Sequence, residues 1–326
     1  MKAIRAACVL VVAGCGLPHV HGSEVSRYDG MCDASAAVAL DRDHFVVADD
    51  ERNTLLVYRR GQPAAAASID LAPFLGTAPD KESDLEGAAV IGQRIYWIAS
   101  HARNSTGKLR EERHRFFATD IDTRSVPPSL TPVGTPYTRL LADLIAANAL
   151  QGLQLGEAAQ RAPESPGGLN IEGLAATPDG KLLIGFRNPI PRGKALLVPL
   201  DNPQAVVTGQ AAKFGVPVSL DLGGRGIRSI EWTGVAYLIV AGPAADRGSF
   251  ALFRWNGKAA DAPALVKGVD LNGLRPEAMF AMPAANQLQF LSDDGGVVTE
   301  GVACKDRDAA RRSFRSITVK TPEPAR

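Results

Sequence analysis

The stretch Glu172-Gly-Leu-Ala-Ala-Thr-Pro-Asp-Gly-Lys-Leu-Leu-Ile-Gly-Phe-Arg187, followed after a short gap by Ala195-Leu-Leu-Val-Pro199, holds the fold in miniature. Two short apolar segments flank Pro178-Asp179-Gly180, where proline presets φ and glycine supplies the positive φ of a tight turn. A third apolar segment of the same length comes next. The unit therefore reads as strand, turn, strand, loop, strand, with each strand too short to be a helix.

The same unit recurs along the chain. Its second segment is matched by His44-Phe-Val-Val-Ala-Asp-Asp50, Arg94-Ile-Tyr-Trp-Ile-Ala-Ser100, Ala236-Tyr-Leu-Ile-Val-Ala241 and Leu288-Gln-Phe-Leu-Ser-Asp293. The first segment corresponds to Ser35-Ala-Ala-Val-Ala-Leu40, Glu86-Gly-Ala-Ala-Val90, Glu231-Trp-Thr233 and Glu277-Ala-Met-Phe-Ala281. Thr54 to Tyr58, Arg115 to Thr119, Phe250 to Trp255 and Arg315 to Val319 match the third, and weaker fourth segments follow four of the units. Short strands in threes and fours, at intervals of about 45 to 60 residues, mark propeller blades. The expected fold is all-β, one β-propeller over residues 31–326 with five blades, six being the alternative count. One long interval is assigned to a helical insertion near residues 135–168, opened by Pro136, with Leu140, Leu141, Leu144 and Ile145 on one face. The last unit shows no fourth strand after Val319, and Glu24 to Tyr28 could supply it, closing the ring.

Composition narrows the function. The 326 residues carry 36 Lys and Arg against 35 Asp and Glu, which leaves no basic footprint for nucleic acid. Residues 1–14 read as a signal peptide: Lys2 and Arg5 precede the short apolar run from Ala6 to Ala13. Val12-Ala13-Gly14-Cys15 resembles a bacterial lipobox that would place a lipid on Cys15; cleavage after Gly22 is the alternative. Residues 15–30 are then a tether leading into the closing strand. The expected location is the bacterial periplasm or the outer membrane, reached through the lipid alone. Cys32 and Cys304, one near each end of the exported chain, form a candidate disulfide.

In a propeller, the entry to each first strand and the exit from each second strand open on the same face. Two sets of side chains should therefore meet there. Asp84, Glu86, Asn170, Glu172, Arg228, Glu231, Arg275 and Glu277 surround the first strands, with Ser35 in the remaining unit. Asp49, Asp50, Glu51, His101, Arg103, Asn104, Arg187, Asn188, Asp293 and Asp294 follow the second strands. Carboxylates in such a ring either pair with arginines between blades or gather around a hard cation such as Ca2+, which takes six to eight oxygen ligands.

Asp84-Leu-Glu-Gly87, Asn170-Ile-Glu-Gly-Leu174, Gly185-Phe-Arg-Asn-Pro189 and Pro276-Glu-Ala278 resemble an uncharacterised family of exported bacterial proteins, as does Ile98-Ala-Ser-His-Ala-Arg-Asn-Ser105. More distantly the Glu-Gly segments are similar to phytase-like propellers, calcium-dependent phosphoesterases, and that likeness implies metal-assisted ester hydrolysis.

Three functions follow as expectations. In the first, the mouth binds a small polar or anionic ligand, or an envelope partner, through Arg103, Asn104, Arg187, Asn188, Arg228 and Arg275. In the second, Asp49, Asp50, Glu86, Glu172, Asp293 and Asp294 hold Ca2+ for phosphoester hydrolysis, with Glu172 or His101 as general base. The third is an envelope scaffold without catalysis. A monomer is expected in each. No Gly-x-Ser-x-Gly elbow, Walker loop, dinucleotide fingerprint or zinc motif occurs, which favours the first.

Overall fold

The computed structural model describes residues 25–322 apart from 79, 246 and 272. The signal segment and Cys15 lie outside the described residues. Strand β1 (Val25–Asp29) opens the chain. The first blade follows as β2 (Ala34–Ala39), β3 (His44–Asp49), β4 (Thr54–Arg59) and β5 (Ala65–Asp70). The second is β6 (Leu85–Ile91), β7 (Arg94–Ala99), β8 (Phe116–Asp122) and β9 (Ser129–Tyr137). The third is β10 (Asn170–Ala176), β11 (Leu182–Asn188), β12 (Ala195–Leu200) and β13 (Val218–Leu220). The fourth is β14 (Gly226–Trp232), β15 (Tyr237–Gly242), β16 (Ala251–Trp255) and β17 (Ala264–Leu265). The fifth begins with β18 (Pro276–Met282) and β19 (Gln287–Ser292), is interrupted by the small hairpin β20 (Val298–Thr299) and β21 (Val302–Ala303), and resumes as β22 (Ser313–Lys320). These are five four-stranded antiparallel blades, so the count is five and not six.

The two ends of the chain share the fifth blade. Strand β1 is its outermost strand and pairs antiparallel with β22, with Tyr28 opposite Phe314. Inner strand β18 also packs against β2, so the ring is continuous. Closure of this kind removes the open seam that would expose two blade faces. The disulfide Cys32–Cys304, spanning 272 residues, lies at the same junction.

Blades meet face to face, and this explains why the strands are continuous apolar runs and do not alternate. Residues Ile95 to Ala99 of β7 are all buried, because both faces of a blade are covered by neighbours. The core is accordingly divided into one apolar cluster per seam. Trp97 and Phe117 meet Leu55 and Val57 between the first and second blades. Phe45, Tyr58, Phe280 and Phe314 fill the closing seam, with Phe45 and Phe280 stacked at 5.3 Å. Outer strands such as β5 and β17 remain exposed.

Gly173 and Gly185 allow the third and fourth blades to approach closely. A Cβ on Gly173 would lie 2.8 Å from Ile227 Cγ2 and 3.1 Å from Gly185 Cα. Gly173→Ala is expected to destabilise by about 1–3 kcal/mol through overpacking, read from the urea unfolding midpoint. A variant as stable as the parent would show that the seam yields at no cost.

The insertion lies between β9 and β10 and contains the short helices Leu140–Ala146 and Leu155–Ala158. Its helix starts at Leu140, not at Pro136, which sits inside the outer strand β9. An outer strand tolerates a residue without an N–H. Leu140, Leu141 and Leu144 are buried against the second and third blades, whereas Ile145 is 41 % exposed.

Candidate functional site

One backbone irregularity builds the mouth of the channel. Each inner strand has a register shift at the same place, and the residues passed over by the pairing are Ser35, Glu86, Glu172, Arg228 and Glu277. A bulge adds one unpaired residue and re-aims its side chain. Here four of the five line a cavity of about 170 Å3, together with Asp50, Glu164, Arg187, Arg275 and Asp293. Six carboxylates face three guanidinium groups around that space.

The ring thus differs from the sequence expectation in the fourth blade, where Arg228 and not Glu231 takes the central position. Glu231 lies three residues further along β14 and accepts a hydrogen bond from the Ala281 N–H. Enclosure there pushes its carboxyl up to about 7. A pattern of apolar residue, ring residue, small residue runs through Leu85-Glu86-Gly87, Ile171-Glu172-Gly173 and Ile227-Arg228-Ser229. It is the signal that would have found Arg228.

The third and fourth blades hold a closed network. Arg228 Nε lies 2.9 Å from Glu172 Oε2, and its Nη2 pairs with Glu277. Arg187 Nη1 donates to Glu172 Oε1 at 3.0 Å, and its Nη2 lies 3.2 Å from Glu164 of the insertion. Burial works against the charge on Arg187, yet Glu172 holds its guanidinium above the ordinary range. These arginines are committed to carboxylates. Glu172, with two guanidinium partners, is an ion-pair anchor.

The first, second and fifth blades hold the opposite situation. One oxygen each of Asp50, Asp84 and Glu86 lie within 4.8 Å of one another. Glu86 is only 8 % exposed, and its Oε2 has no hydrogen-bond partner; Asp50 Oδ1 is likewise buried and unpartnered. Asp50 Oδ2 accepts from Ser35 Oγ at 3.2 Å, and Asp84 accepts from Arg113 at 2.8 Å. Loss of hydration, then the charges of Asp33, Glu86 and Asp293, push Asp50 well above the carboxylate range. Glu86 is pushed up well above it by burial and then by Glu172 and Asp84. Asp33, bridged through its backbone to Asp293, is raised to about 9 by burial and by that neighbour. Uncompensated carboxylates at a buried site either protonate or acquire a cation.

Several sequence candidates lie elsewhere. Asp49 is turned to Arg52, whose Nε donates to it at 2.8 Å. Asp294 is held by Arg315 Nη2 at 2.7 Å and by Ser292. Arg103 reaches across to the Ala159 carbonyl and Gln160 of the insertion, and Asn104 closes its own loop against the Lys108 N–H. Asn188 Nδ2 donates to the Pro163 and Ser165 carbonyls, where it ties down the insertion. His101 stacks on His114 at 5.7 Å, and its Nδ1 lies 2.8 Å from the Ala99 carbonyl. That contact fixes the proton on Nδ1 and leaves Nε2 buried without a partner. Burial brings the imidazole down to about 3, so it is neutral, and it does not line the cavity.

Asp50, Glu86 and Asp293 remain of the expected ligands, Asp84 joins them from outside that set with Asp33 bridged to Asp293, and Glu164 lines the cavity paired with Arg187. Glu164 was hidden in the part of the insertion beyond its apolar helical face. Asp33 directly precedes inner strand β2, whose start places it at the mouth beside Asp293.

Residues 141–289 match the model of a family described as a protein of unknown function, DUF3616. Over most of its length the chain is also similar to solved structures. Glutaminyl cyclase of Myxococcus xanthus is 12% identical at a TM-score of 0.45, covering 90% of this chain and 94% of that one. The PQQ-bound aldose sugar dehydrogenase of Streptomyces coelicolor is 14% identical at a TM-score of 0.45, covering 91% and 99%. No curated protein matches the sequence.

Proposed function

We propose that this is an exported ligand-binding propeller whose mouth takes a hard divalent cation of the Ca2+ class. Asp50, Asp84 and Glu86 would hold the ion, with Asp293 adjacent, and the ion would recruit the acid group of a small anionic ligand. The observation that carries this reading is the pair of buried carboxylate oxygens, Glu86 Oε2 and Asp50 Oδ1, that have no hydrogen-bond partner among the described residues. Their donor set is all oxygen, as such a cation requires. Arg275 stands exposed on the rim with no carboxylate paired to it among the described residues, and can meet the same ligand.

Binding is favoured over ester hydrolysis because the two candidate bases are unsuited. Glu172 is engaged by two arginines, and His101 lies outside the cavity. Work outside the cytosol is supported by the Cys32–Cys304 disulfide, which persists in oxidising compartments. Export through residues 1–14, with a lipid on Cys15, belongs to the same proposal.

The test is a melting profile against pH, with and without Ca2+. Asp33, Asp50, Asp84 and Glu86 all have folded-state affinities for protons above their unfolded ones. Their favourable contribution is therefore complete at low pH and is lost as pH rises towards the folded value of Asp33, about 9. The metal-free protein should melt at progressively lower temperature from about pH 4 upward. Ca2+ at about a hundredfold excess over Kd should add about 2.7 kcal/mol near neutral pH and flatten the profile. Glu86→Gln should abolish the Ca2+ effect while raising the metal-free melting temperature. A melting temperature indifferent to Ca2+ and to chelator rejects the cation site.

A further inference from the structure

A second cavity, of about 520 Å3, opens on the face opposite the mouth. It is built from the far ends of the same strands: the turn Thr177 to Lys181 that joins β10 to β11, and the residues flanking the β14–β15 turn. Its floor is aromatic. Trp232 and Tyr237 face each other at 4.8 Å, and Tyr237 meets Trp255 at 5.3 Å. Tyr237 and Trp255 belong to the seam between the third and fourth blades and are fully buried. Trp232 is different. It lies at the end of β14, half-buried, with its ring only partly covered by the seam. On the opposite rim Val216 is 79 % exposed.

The polar walls are balanced in charge. Lys181 Nζ lies 3.0 Å from Asp201 and 3.6 Å from Asp179, and Lys258 adds a second cation beside them. Two carboxylates and two ammonium groups leave no net field for an ionic ligand. They do offer acceptors and donors side by side, which suits hydroxyl groups that must do both.

We propose that this cavity is a carbohydrate-binding subsite, separate from the mouth, that stacks a neutral sugar ring on Trp232. The C–H edges on one side of a pyranose carry slight positive charge and fit the negative face of an indole. The ring hydroxyls would then reach Asp179, Asp201 and Lys181 on the wall. The cavity volume lies within the range of small-molecule sites. An extended proline-rich peptide suits the site less well. Such peptides dock between several exposed aromatic ridges, and here a single ring is accessible.

Calorimetry and saturation-transfer NMR with maltotriose, cellotriose and chitotriose test the proposal. At least one should bind saturably with a Kd on the order of 1 mM. Trp232→Ala should weaken it at least about tenfold. Because Trp232 also touches Tyr237, Val216→Arg is the second variant: it fills the opening from an exposed position and should weaken binding without lowering the melting temperature. Glu86→Gln at the mouth should leave sugar binding unchanged, which separates this site from the cation site. No saturable response from any of the three up to about 10 mM, on the weak side of small-ligand affinities, overturns the proposal. Binding unaffected by both variants overturns it too, as does capture of a polyproline peptide in place of the sugars.

Discussion

Replacing Cys32 and Cys304 together by serine is expected to cost roughly 5 kcal/mol of stability, the value that chain entropy assigns to a loop of this length. The bridge spans 272 residues, nearly the whole described chain. Without it the unfolded ensemble gains the freedom of both ends. The native state loses local order as well. The Asp294 N–H donates to the Cys32 carbonyl at 2.9 Å, and the Cys304 N–H donates to the Val297 carbonyl at 3.0 Å. The segments so joined carry Asp33 and Asp293, so the variant should also bind Ca2+ more weakly. Urea unfolding of the variant, beside the reduced parent protein, measures the first effect. A loss below about 1 kcal/mol would mean that β1 pairing with β22 closes the ring unaided and that the bridge is accessory. Aggregation of the variant at concentrations where the parent stays in solution would point the same way as a large loss, since an open seam exposes blade faces and strand edges.

How far the sequence could be read follows from the physics of a blade. Because each blade is buried on both faces, its strands are continuous apolar runs such as Ile95 to Ala99, and turn residues such as Pro178-Asp179-Gly180 separate them. Both signals are local and survive in one sequence. Closure was also legible, because a missing fourth strand at one end, a spare strand at the other and two cysteines agreed. The site was less legible. Which residue faces the axis depends on a bulge, and a shift of one residue in pairing is invisible to composition. Glu231 was therefore placed in the ring where Arg228 belongs. Partner choice was equally hidden. Asp49 and Asp50 are neighbours in sequence, yet one is neutralised by Arg52 and the other is left facing Glu86. That difference decides which of them can serve a cation, and it is set by Arg52 three positions on for Asp49 and by Asp84 and Glu86, more than thirty positions away, for Asp50.

Arg228→Met is expected to cost about 3–5 kcal/mol, because it removes one partner from a buried ionic network and leaves the others charged. Arg228 is 4 % exposed, contacts Glu172 and Glu277 at once, and lies 5.6 Å from the centre of the Phe250 ring. After its removal Glu172 still has Arg187 at 3.0 Å, whereas among the described residues Glu277 keeps only the Ser35 hydroxyl at 3.5 Å. The loss should therefore fall mainly on Glu277. Adding Glu277→Gln to the variant should recover part of it. This outcome separates two roles for the guanidinium. If Arg228 were held for a ligand's acid group, its removal would weaken ligand binding and cost little stability, and Glu277→Gln would recover nothing. If it serves as the counter-ion of the ring, stability falls first. The cavity then becomes one charge more negative, and Ca2+ affinity rises in whatever fraction remains folded. Measuring unfolding and the binding of a small carboxylate on the same variant distinguishes these, since only the first role predicts weaker anion binding without a loss of stability.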